Sequence, residues 1–78
     1  MTEKELKEAR IASLKDRRLR EYQTIWNLEV EIRYFEKMKL LGKVDLGKIA
    51  REISIRKAEI EVHKEMIKIL DEIINENG

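Results

Sequence analysis

The chain has 78 residues, no cysteine, and 17 basic against 16 acidic side chains. That length allows one small domain. It excludes disulfide staples and thiolate metal sites, and a net charge of +1 supplies no global field for nucleic acid or an anionic membrane. Apolar runs never exceed two residues, as in Leu40-Leu41, so neither a membrane span nor a secretory signal is expected. A reducing cytoplasm is the default setting. Proline is absent and charged residues make up 42% of the chain, which favours long solvated helices.

The first helix is expected over residues 3–41. Thr2 and Glu5 form a capping box, each side chain able to take a backbone amide of the first turn. A break near Ser13 is the alternative, because Ser13 and Asp16 repeat the same pairing. One apolar stripe runs Leu14, Ile25, Leu28, Ile32, Phe35. In heptad terms Ile11, Arg18, Ile25 and Ile32 share one position, and Leu14, Glu21, Leu28 and Phe35 the other. This seam is clean from Ile25 onward and polar before it. A second stripe, Leu19, Trp26, Val30, Tyr34 and Leu41, lies nearly opposite.

Residues 42–45 read as a turn. Gly42 suits the left-handed closure of a helix, and Asp45 the capping of the next. Val44 and Ile49 have the spacing of a hydrophobic staple. A connection this short makes antiparallel neighbours. The stretch Gly42 to Lys48 also matches the glycine and lysine spacing of a phosphate-binding loop. It lacks the Ser or Thr that would follow, having Ile49, and no strand precedes it. We read it as a capped turn.

The second helix is expected over residues 46–75, with a frayed end beyond. Its seam is Leu46, Ile49, Ile53, Arg56, Ile60, His63, Ile67, Leu70 and Ile74. A second stripe runs Ile55, Ala58, Val62, Met66, Ile69 and Ile73. Folding back at the turn sets residue i opposite roughly 87 minus i. Residues 9–20 carry five basic side chains against Asp16, or +4, and residues 58–78 carry six acids against two lysines, or −4. The two blocks then face each other. Glu21, Glu29 and Glu36 face a region holding Arg51, Arg56, Lys57 and Lys64.

The expectation is therefore an all-α antiparallel hairpin. One seam leaves two stripes over, so we expect a homo-oligomer, a dimer forming a four-helix bundle above all, with a protein-interaction or structural role. An unrelated protein partner is the other way to cover the stripes. The expected interaction face is Leu19, Trp26, Val30, Tyr34, Leu41, Ile55, Val62, Met66, Ile69 and Ile73. The alternative is a nucleic-acid accessory protein using Arg10, Lys15, Arg17, Arg18 and Arg20, with Tyr22 and Trp26 just after them. No helix-turn-helix spacing supports it. A remoter alternative is a small helical enzyme in which Arg33, Arg51, Arg56 and Lys57 surround an anion. No catalytic, cofactor or metal residue is assigned. His63, with Glu59 four residues before it, reads as a polar seam residue that sets register with Arg56.

Overall fold

The structure, a computed structural model, describes residues 1–42 and 44–77. Two helices account for nearly all of it: α1 (Glu3–Leu41) and α2 (Leu46–Asn77). They lie side by side and antiparallel in a rod of 61 × 15 × 13 Å. The Cα radius of gyration is 18.0 Å, against about 12 Å for a compact domain of this length.

The local signals work as expected. The Thr2 hydroxyl accepts from the Glu5 amide at 3.2 Å, and the Glu5 carboxylate accepts from the Thr2 amide at 3.4 Å. The helix runs unbroken through Ser13 and Asp16. Gly42 closes α1 at φ 70°, its amide donating to the Lys39 carbonyl. Asp45 Oδ1 accepts from the amides of Gly47 (2.9 Å) and Lys48 (3.2 Å), so the loop-like glycine–lysine spacing serves a helix cap. Lys43 lies outside the described residues. Val44 is half-buried and Ile49 buried, as a staple requires.

The seam follows the heptads. Ile25, Leu28, Ile32, Ile60 and Ile67 form the core cluster, with Ile53 packed against it. Ile49, Leu70 and Ile74 extend it along α2. Each such side chain contributes about 1.5–3 kcal/mol when fully buried. None is below 2% exposed among the described residues, so a single interface seals no position completely.

Two expectations need correcting. α2 continues two residues past Asn75, because the Asn77 side chain donates to the Ile73 carbonyl (2.7 Å) and accepts from Arg10 (3.5 Å). Leu46, assigned to the seam, is 54% exposed. It sits where the hairpin turns, and α1 ends at Leu41 without covering it. At the other end α2 stops opposite Arg10, so residues 3–9 of α1 extend beyond it and are all exposed.

Candidate interaction surface

The polar positions of the seam come first, because they could have carried chemistry. Glu21 is buried, its side chain 11% exposed, and its Oε2 bonds to Nδ1 of His63 across the seam. Arg17, one turn back on α1, donates to Glu21 Oε1 at 3.3 Å. The hydrogen bond from His63 holds the Glu21 carboxyl below the usual carboxylate range; burial opposes this and Arg17 reinforces it. One turn toward the N-terminus, Arg18 donates to Asp71 at 2.6 Å. These residues replace apolar packing just where the α1 seam turns polar. His63 thus takes its carboxylate from Glu21 on the facing helix, rather than from Glu59 on its own.

Arg56 is similarly committed. It donates to Glu52 at 2.6 Å and Glu31 at 2.9 Å, and its guanidinium stands 4.5 Å from the centre of the Phe35 ring. The hydrogen bond it donates to Glu52 raises its pKa further; burial opposes this and the bond to Glu31 reinforces it. The anion pocket imagined for Arg33, Arg51, Arg56 and Lys57 is not assembled, since Arg33, Arg51 and Lys57 are exposed while Arg56 is spent on the seam. Among the described residues no group of three or more His, Asp or Glu side chains is arranged to hold a metal ion.

Three of the five basic side chains of the run are paired with carboxylates. Arg18 pairs with Asp71, Arg17 with Glu21, Arg20 with Asp16 at 3.6 Å, and Arg10 bonds to Asn77. Lys15 is exposed. The expected facing of the basic and acidic blocks is realised in Arg18–Asp71, and Glu31–Arg56 also agrees with the expected register. No helix is long and apolar enough to cross a membrane among the described residues.

The second stripes remain uncovered. On α1, Trp26 is 52% and Val30 67% exposed, and Leu19, Tyr34 and Leu41 are exposed too. On α2, Val62 is 64% exposed, Ile55 and Ile69 are exposed, and Met66 and Ile73 are half-buried. The stripes do not form one face. Tyr22 and Trp26 stack, with ring centroids 6.1 Å apart, beside an open groove of ≈ 390 Å³. Ile25 and Glu29 of α1 and Lys64, Ile67 and Lys68 of α2 complete its lining. This groove marks one flank of the hairpin. The α2 stripe lies roughly 130° around its helix from the seam, in the rotation opposite to Lys64 and Lys68. It therefore lies on the other flank. Along α1, Leu19 and Trp26 share the groove's flank, while Tyr34 and Leu41 drift to the outer side.

The sequence reading did not single out Tyr22, Lys64 and Lys68 as one groove. The signal was present in their rotation from the seam, which sets all three on one side. The groove offers little charge to a ligand, because Lys68 pairs with Glu65 at 3.0 Å and Lys64 with Glu61 at 3.4 Å. No protein-family model, curated protein or solved structure matches this chain.

Proposed function

We propose that the protein is a self-associating helical element whose role is assembly with a copy of itself, not catalysis. One observation carries this reading: each helix buries one apolar stripe in the hairpin and leaves a second, comparably rich stripe in water. A monomer holding Trp26, Val30, Val62 and Ile69 exposed on a rod this thin forgoes burial worth about 25 cal/mol per Å² of apolar surface. Pairing two hairpins into a four-helix arrangement recovers part of it. The polar seam residues support the same role. Glu21 bonds to His63, Arg18 to Asp71 and Arg56 to Glu31 across the seam, which supports a fixed register and leaves no convergent set of groups for a substrate among the described residues.

Multi-angle light scattering over a concentration series at micromolar protein tests the reading. The expected result is a mass at least twice that of the 9.4 kDa chain, with the helical circular-dichroism signal intact. A folded monomer across that range would refute it.

A further inference from the structure

We infer that the α2 flank is a twofold interface, on which a second copy of this chain lies with its α2 antiparallel to the first. The inference rests on the self-association proposed above and specifies which face mediates it, in which direction.

The stripe has the spacing for such a pairing. With a twofold axis beside Lys64, residue i of one α2 falls opposite roughly 128 minus i of the other. Ile55 then meets Ile73 of the second copy, Val62 meets Met66, and Ile69 meets the turn carrying Ala58 and Glu59. All five of these apolar positions other than Ala58 lie on the flank away from the groove, and none is fully covered by α1.

Charge decides the direction. At its N-terminal end the stripe is bordered by Lys48 and Arg51, and at its C-terminal end by Glu72 and Glu76, all exposed and none in an ion pair among the described residues. Antiparallel pairing brings Arg51 opposite Glu76 of the second copy, at both ends of the interface. Parallel pairing would set Lys48 and Arg51 against their own copies, and Glu72 and Glu76 against theirs, which is repulsive. Glu65 and its copy come near the axis, but each is already paired with Lys68. The α1 stripe has no such complement: Lys37 and Arg33 border it, and pairing about Val30 sets them opposite Gln23 and Asn27. The charges thus select the α2 flank and a second copy as its occupant.

The absence of native cysteine makes the geometry testable by cross-linking. Under mild oxidation, a mixture of Ile55→Cys and Ile73→Cys proteins should give a disulfide-linked heterodimer. Ile55→Cys alone should not, because the two copies of residue 55 stand about 27 Å apart along the helices, far beyond disulfide reach. Light scattering should show Val62→Glu monomeric and Trp26→Glu still assembled. Arg51→Glu should weaken assembly about threefold to tenfold, and adding Glu76→Arg should restore it. Cross-linking of Ile55→Cys to itself would overturn the antiparallel direction. An assembled protein with no cross-link in the mixture, or one dissociated by Trp26→Glu and not by Val62→Glu, would overturn the choice of flank while leaving self-association standing. A wild-type monomer would remove both.

Discussion

Replacing His63 with alanine tests the seam at its most polar point. Glu21 would keep Arg17, at 3.3 Å, but lose the hydrogen bond to its Oε2. Breaking a fully buried charged pair costs about 3–5 kcal/mol. The cost here is lower, because the His63 side chain is 30% exposed and water can reach part of the vacated space. We expect about 2 kcal/mol, close to the penalty for leaving a buried acceptor without its partner. The assay is urea unfolding followed at 222 nm, at one fixed protein concentration so that assembly does not shift the midpoint. Its pH dependence carries a sign. Because the folded Glu21 pKa lies below its unfolded value, the bond from His63 stabilises the fold fully above the ordinary carboxylate range, and this contribution is lost as pH falls through the folded value. The gap between wild type and His63→Ala should therefore narrow as the solution is acidified below about pH 4.5. In a Glu21→Gln background the same His63 substitution should cost less, since no carboxylate is stranded. A His63→Ala protein within about 0.5 kcal/mol of wild type at neutral pH, or a penalty that grows below about pH 4.5, would refute the reasoning.

Two further outcomes follow from the turn and the groove. Gly42→Ala should destabilise the hairpin by about 1 kcal/mol, measured by the same urea titration, since φ 70° is left-handed and, among the described residues beyond its chain neighbours, no atom lies within 4 Å of an added Cβ. Asparagine there should cost less, and an unchanged midpoint for alanine would contradict the capping geometry. Trp26, the single tryptophan, should keep its exposed emission maximum and its iodide quenching as protein concentration rises through the assembly transition, because its flank is not the one covered. A blue shift on assembly would count against the α2 interface.

Much of the fold was legible because its determinants are local. The Thr2–Glu5 box, Gly42 and Asp45 act within one turn of themselves, and the spacing of Ile25, Leu28 and Ile32 repeats along one helix. The antiparallel register was also legible, since Arg18–Asp71 and Glu31–Arg56 fall within about one helical turn of the expected facing positions. What escaped depends on two helices at once. Glu21 and His63 were each readable as polar seam residues, but their partnership required the register to be known to the residue. Glu59, four residues before His63 on the same helix, is not its partner. The handedness of the two stripes escaped for the same reason. Listing the exposed apolar residues as one face ignored the sign of rotation from the seam, which puts Trp26 on one flank and Val62 on the other. Leu46 shows a simpler failure: a heptad position buries its residue only where the partner helix is still present.

The seven residues of α1 beyond Arg10 stand outside everything that packs. A helix of that length has no stability of its own in water, because nucleating it costs more than its few hydrogen bonds return. It is helical as the continuation of a nucleus formed elsewhere, with Thr2 closing its tip. Its amides should exchange earliest in the molecule, at rates set by fraying, while those near Ile25 and Ile60 wait for the rod to open. The segment is thus a built-in reference for hydrogen exchange. Protection that spreads into it on assembly would report a neighbour reaching past the hairpin, and unchanged exchange would confine the contacts to the span where the two helices pack.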